Sequence, residues 1–182
     1  MVTRYTFQVC CLLLWLNVKF PPAASAGPST GRPQAEKSIT FEVHAPPAQV
    51  LPLFGPMRES DWAPTWKPEF VYPAAGSNTQ EGTVFTTGGG EHGKSVWILV
   101  EYSEERNTVR YAVVSPEEST TEIRVQLAPV PGGRTKVVVT ERRTSLQPSA
   151  DASITHFEQH FPDQAGHWQE AIEGYLLHRP HR

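Results

Sequence analysis

The sequence predicts an α+β fold, a curved seven-stranded antiparallel sheet wrapped around a long C-terminal helix. Three observations carry that expectation. Ile39, Phe41 and Val43 alternate with Thr40, Glu42 and His44, the period-two signature of a half-buried strand. Six further strand-like segments follow between Glu69 and Leu146, separated by tight turns, which suits an antiparallel meander. Near the C-terminus the period changes: Phe157, Phe161, Trp168, Ile172, Tyr175 and Leu176 recur at helical spacings and form one apolar stripe.

Taken in order, the first strand stops at Ala45-Pro46-Pro47, and Gln49 to Phe54 reads as one or two helical turns interrupted by Pro52. An aromatic loop with two prolines follows, Asp61 to Pro68, with Trp62 and Trp66 four residues apart. The serial strands are then Phe70–Tyr72, Thr83–Thr87, Ser95–Tyr102, Val109–Ser115, Thr120–Val130 and Thr135–Leu146. Ser95–Tyr102 is almost continuously apolar, as in a central strand. Turns fall at Glu104–Asn107, Pro116–Ser119 and Pro131-Gly132-Gly133. Pro162 interrupts the helical stripe and should kink the helix or divide it in two before it ends near Leu177. A curved sheet has one face to bury, and a long helix can cover it.

The chain of 182 residues suits one domain, set here at residues 38–178 with a tail at 179–182. Residues 1–26 read as a secretory signal peptide: Arg4, an apolar run from Phe7 to Leu16, then Ala24-Ser25-Ala26 as a cleavage site. The run is too short to cross a bilayer as a helix, so the mature chain should carry no integral membrane segment. Residues 27–37 are polar and rich in Pro, Gly and Ser, and read as a flexible leader. The expected location is periplasmic or secreted, or cytoplasmic if the start codon is misassigned. Both cysteines, Cys10 and Cys11, fall in the expected signal peptide, so the mature chain should have neither disulfide nor thiolate chemistry. Losing Arg4 and Lys19 with it moves the net charge from −3 to −5, and with no basic run a nucleic-acid partner is not expected.

Catalytic motifs are sparse. No G-x-S-x-G occurs. Gly88-Gly89-Gly90 opens no helix, and Gly93-Lys94-Ser95 leads into a strand rather than a phosphate-binding helix. His156 and His160 are four apart on the helix with His167 near the same azimuth, yet HFEQH places its Glu wrongly for H-E-x-x-H, and a solvated face is the preferred reading over a metal site. Glu101 interrupts one apolar strand, and Glu141, Arg142 and Arg143 interrupt another; alternation puts Glu141 and Arg143 on one face and Thr140 and Arg142 on the other, without saying which is inside. Solvent exposure is the ordinary state for such residues, and an inward one would be an anchor or an acid/base.

The order of FEVHAPP, a short helical insert, WAPTWKPEFVYP, EGTVFTT, a strand with a central Trp, YAVVSP, a T-x-V-V-V strand and a final helix carrying W-x-x-A-I-x-x-Y-L resembles the SRPBCC superfamily, the START-like or polyketide cyclase/dehydrase and lipid-transport proteins. The resemblance spans about Ser38 to Leu177. It implies a helix-grip fold with a hydrophobic cavity between sheet and helix, and no single activity. The oxygenase branch, which needs an iron-sulfur domain, is excluded by the chain's length and cysteines. Candidate cavity-lining residues are Trp62, Trp66, Phe70, Phe85, Trp97, Tyr111, Phe161 and Trp168. For Trp62 and Trp66 the choice is between cavity wall and packing, with packing favoured for at least one. The expected function is an exported, non-catalytic binding or carrier protein for a hydrophobic small molecule: a lipid, isoprenoid or aromatic metabolite. No cofactor or metal is implied. The alternative is a cofactor-independent cyclase- or dehydratase-like enzyme using acid/base residues in the same cavity; a third reading is a protein-docking surface at the Trp62–Trp66 loop.

Overall fold

The first strand shows why this chain needs little apolar sequence to extend a sheet. In the computed structural model, which describes residues 31–88 and 93–178, β1 runs from Gln34 to Val43. The expected signal peptide, the first four residues of the leader (27–30) and the tail at 179–182 lie outside the described residues. The leader was expected to reach Lys37, so its last four residues are corrected to strand. Of these four only Ala35 is buried, and alternation could not mark them. They are held by the backbone ladder to β7, from Gln34 opposite Thr144 to Val43 opposite Thr135. Side chains add a Gln34 Nε2 hydrogen bond to Thr144 Oγ1 at 2.8 Å and a Lys37–Glu158 ion pair at 3.0 Å.

Six strands follow: β2 Glu69–Tyr72, β3 Val84–Gly88, β4 Lys94–Ser103, β5 Thr108–Ser115, β6 Ser119–Val130 and β7 Arg134–Ser145. The sheet order is β1-β7-β6-β5-β4-β3-β2, antiparallel throughout. The strands from β2 to β7 therefore form a meander, and β1 closes onto its last strand. Gly132 and Gly133 both take positive φ in the β6–β7 turn, backbone that other residues adopt only at a cost.

This order places β1 and β2 at opposite edges. The segment between them must cross the whole width of the sheet, about 29 Å were it flat. It does so through α1 Pro47–Val50 and two 3-10 turns, Leu51–Phe54 and Arg58–Asp61. Val50, Leu51, Leu53 and Phe54 are buried, so the crossing segment is tied down as it goes.

Two register shifts interrupt the pleat, one at Phe70/Tyr72 and one at Leu99/Glu101. The second has a consequence for charge. Trp97 and Leu99 face the interior, and strict alternation would send Glu101 after them. The bulge turns Tyr102 inward instead and sends Glu101 outward, where Arg106 at 2.8 Å and Arg110 at 3.5 Å pair with it. On β7 the phase is unbroken: Thr135, Val137, Val139 and Glu141 are buried.

Proline divides the C-terminal helix as expected. Helix α2 covers Asp151–His160, Phe161–Asp163 is a 3-10 turn containing Pro162, and α3 covers Gln164–His178. Helix α2 packs on β1 and β7, and α3 on β1. Ile154, Phe157, Phe161 and Ile172 are buried, with Trp168, Tyr175 and Leu176 packed at their margin. His156, His160 and His167 all lie on the exposed face.

Ile172 has no exposed surface, whereas Leu177, one and a half turns on, is 82% exposed. Ile172→Ala should destabilise the fold by roughly 2–5 kcal/mol in urea titration, and Leu177→Ala by less than about 0.5 kcal/mol. Equal effects would mean that α3 is not seated as described.

Candidate functional site

Because the crossing segment bridges the open end of the sheet, its side chains decide what that end contains. They are fixed by a set of side-chain bonds to backbone carbonyls. Trp62 Nε1 donates to Leu53 O and Trp66 Nε1 to Pro56 O, each at 2.7 Å. Tyr111, on β5, donates its hydroxyl to Phe54 O at 2.7 Å. Asn78 clamps the same stretch from the other side. Its Nδ2 donates to Pro52 O at 3.0 Å, and its Oδ1 accepts from the backbone N–H of Met57 and Arg58. Gly55 sits under this amide, where a Cβ would come within 2.3 Å of Asn78 Nδ2, so glycine is needed for the close approach. Arg58 bonds Asp61 at 2.5 Å and the Tyr175 hydroxyl at 2.9 Å, which links the second 3-10 turn to α3.

Held this way, the aromatic side chains fall into two groups. Phe54, Trp62 and Trp168 make edge contacts, with Trp62 and Trp168 centroids 5.7 Å apart. Trp66, Phe70, Phe85, Trp97 and Tyr111 form the second group, with Phe85 stacked on Trp97 at 5.7 Å and Trp66 standing edge-on to Trp97 at 5.0 Å. A cavity of about 340 Å³ is lined by members of both, Trp62 and Trp168 from one and Trp66 from the other. Ala63, Thr65 and Lys67 of the loop, Thr87 and Gly88 at the end of β3, and Glu59 complete its wall.

The eight aromatic candidates are therefore distributed unevenly. Trp62, Trp66 and Trp168 line the cavity. Phe70, Phe85, Trp97 and Tyr111 stand behind Trp66 as packing, and Phe161 packs against Phe157 with centroids 5.1 Å apart. Aromatic interdigitation fills much of the space expected to be hollow, and the cavity lies at the mouth, between loop, β3 and α3. Trp62 serves both purposes, since it is buried and also forms wall.

Sequence reasoning did not single out Glu59. It belongs to the polar run Arg58–Asp61, which reads as solvated turn. The 3-10 turn instead points its carboxyl inward. The residue keeps some accessible surface, which opens into the cavity, while the side chains around its carboxyl desolvate it. Among the described residues no donor hydrogen-bonds this carboxyl. Burial, and then the charge of Glu141, push it up from an ordinary 4.5 to about 8.

Glu141 is the second interior acid, and the face left open by alternation is settled by its burial. Its Oε2 accepts from Arg143 Nε at 3.1 Å and Nη2 at 2.8 Å. The Arg143 guanidinium lies 4.3 Å from the centroid of the Phe157 ring, so one cation joins β7 to α2. Burial raises the Glu141 carboxyl above the usual range despite Arg143, which pulls it back. Burial also drives the Tyr111 hydroxyl well up, with Glu59 adding to the effect. Arg142 points outward and pairs with Glu122. Chemically, the site is an indole-walled cavity that presents one carboxyl, raised well above the usual range by burial and without a hydrogen-bond donor among the described residues.

Comparison with known proteins agrees with this architecture. Ara h 8.0201 superposes with a TM-score of 0.57 at 18% identity, covering 80% of this chain and 99% of that one. Norcoclaurine synthase from Thalictrum flavum, solved with dopamine and hydroxybenzaldehyde, gives 0.61 at 12% identity, covering 84% and 91%. A protein from Thermobifida fusca gives 0.60 at 20% identity, covering 82% and 97%. At these identities the likeness is one of fold. No curated protein matches the chain by sequence. The profile of a family described as polyketide cyclase / dehydrase and lipid transport matches residues 34–157, which takes in every strand and most of α2. On that match, and on the sheet and helix it corresponds to, the chain belongs to this family of the SRPBCC superfamily.

Proposed function

We propose that the chain binds a compact apolar or aromatic small molecule in the cavity walled by Trp62, Trp66 and Trp168, and carries it. The observation that supports this reading best is the convergence of three indoles, drawn from the crossing loop and α3, on one open space. Three aromatic faces joined by the polar side chains of Glu59, Thr65, Lys67 and Thr87 supply apolar contact together with polar anchors, the two things a small-molecule pocket needs. The volume of about 340 Å³ sits at the low end of such pockets. It suits a one- or two-ring molecule better than an extended acyl chain, which narrows the lipid, isoprenoid or aromatic range to its smallest members. Norcoclaurine synthase, which shares the fold, holds compact aromatic molecules in its own structure. Export to the periplasm or beyond the cell belongs to the proposal, on the order of charge, apolar run and small residues in residues 1–26.

Glu59 supports a second reading, acid/base catalysis in the cavity. A carboxyl shifted to about 8 can give and take a proton near neutral pH. The two readings share a ligand site and differ in what becomes of the ligand.

Isothermal titration with 1-naphthol should detect binding that Trp66→Ala and Trp168→Ala each weaken about tenfold, near 1.4 kcal/mol. Probe recovered unchanged marks a carrier. Probe or a related enolisable ketone recovered altered, with the change lost in Glu59→Gln, marks an enzyme. A panel of compact aromatic and isoprenoid compounds that leaves the melting temperature unmoved would remove both.

Glu59 also makes a stability prediction. Its folded-state value of about 8 lies above the unfolded 4.5, so its contribution is complete below 4.5 and is lost as pH rises through 8. Glu59→Gln should therefore stabilise the protein at pH 8, by on the order of 2 kcal/mol after allowing for water in the cavity, with the gain vanishing toward pH 4.5. Thermal melts across that range test it, and a gain independent of pH would place the carboxyl in solvent. Separately, N-terminal mass spectrometry of the exported protein should begin at Gly27, and an intact Met1 would count against export.

A further inference from the structure

We infer that the molecule bound here carries a positively charged nitrogen, because Trp62, Trp66 and Trp168 line a cavity whose wall presents the Glu59 carboxyl with no cation paired to it among the described residues. The inference rests on the small-molecule reading above and narrows it to a class: an aromatic or apolar body bearing an ammonium group.

The tryptophans supply the first argument. An indole ring attracts cations to its face more strongly than phenol or benzene does. Trp62 and Trp66 have already spent their N–H donors on the carbonyls of Leu53 and Pro56. What they offer a ligand is ring surface. A neutral ligand gains only contact area from such surface, whereas an ammonium gains electrostatic attraction as well.

The charges around Glu59 supply the second. From β7 come Glu141 and Arg143, and that guanidinium is committed to Glu141 and to the Phe157 ring. Arg58, next to Glu59 on its own turn, is committed to Asp61 and to Tyr175 of α3. Tyr111 from β5 gives its hydroxyl to Phe54 O. Tyr102 from β4 is a neutral phenol packed at the core's margin. Lys67 lines the cavity but is an exposed rim residue, and no ion pair joins it to Glu59 among the described residues. Among the described residues, two interior carboxyls thus share one committed cation. A ligand ammonium would supply the missing charge, favour the ionised form of Glu59 and release its proton to solvent.

A matched pair of probes tests this on the full chain. Benzyltrimethylammonium is permanently charged, and neopentylbenzene is its neutral isostere. Isothermal titration should show the cation binding at least tenfold more tightly, with the preference falling toward unity in Glu59→Gln. Between pH 6 and 9 the cation's affinity should rise about tenfold in the parent protein as Glu59 ionises, and stay flat in Glu59→Gln. Because the probe does not titrate, that slope belongs to the protein. A melting curve confirms that the variant is folded. Neopentylbenzene binding as tightly as the cation overturns the charge inference and leaves the small-molecule site standing. Binding of 1-naphthol with no binding of the cation does the same. Failure of all three probes removes both.

Discussion

Strand order imposes the constraint on which this site depends. With β1 and β2 at opposite edges of a seven-stranded sheet, residues 44–68 must traverse its concave end. An irregular segment in that position would leave carbonyls unpaired against an apolar interior, which is costly. The chain answers with side-chain donors: the indole N–H of Trp62 and Trp66, the hydroxyl of Tyr111 and the amide of Asn78 cap the carbonyls of Leu53, Pro56, Phe54 and Pro52. The residues that satisfy the backbone are, for Trp62 and Trp66, also those that wall the cavity. Fold and site are therefore not separable here, and substitution of either tryptophan alters both.

A second consequence concerns charge. The helical lid covers the β1–β7 side of the sheet, while aromatic side chains fill the β3–β5 side. Glu141, on β7, lies under that lid and is stabilised by Arg143, which is itself sandwiched against Phe157. Glu59 approaches from the crossing segment and meets this pair from the cavity. Among the described residues one acid is tied to a cation and the other is not, and the second feels both desolvation and the first acid's charge. Environments that separate two nearby carboxyls in this way are a common route to an acid that works near neutral pH.

Much of the fold was legible because apolar alternation, turn residues and a change of period are local signals. Each strand from β2 to β7 lies where Phe70, Thr83, Ser95, Val109, Thr120 and Thr135 begin their runs, and Pro162 divides the helix where its missing N–H demands. The extension of β1 to Gln34 was not legible, because its polar residues are recruited by an open ladder on β7 rather than by burial. Nor was the outward turn of Glu101, which follows from a bulge that strict alternation does not foresee. Glu141 lies in phase with Val137 and Val139, a signal blurred by the equally apolar Val138 beside them. Glu59 gave no signal of its own. In sequence Arg58-Glu59-Ser60-Asp61 is a hydrophilic turn, and only the pairing of Arg58 with Asp61 and Tyr175, together with the Asn78 clamp, leaves its carboxyl facing inward.

The wall tryptophans differ from Glu59 in what they can distinguish. With the indole N–H groups of Trp62 and Trp66 turned to the protein's own backbone, these two positions offer a guest ring faces that favour a cation but no hydrogen-bond donor. Discrimination is concentrated at one side chain on a short turn whose backbone is secured independently of it. Exchange of that single residue could re-aim the pocket toward a different chemistry without disturbing the scaffold, so descendants of this chain could diverge in ligand while remaining nearly identical in form.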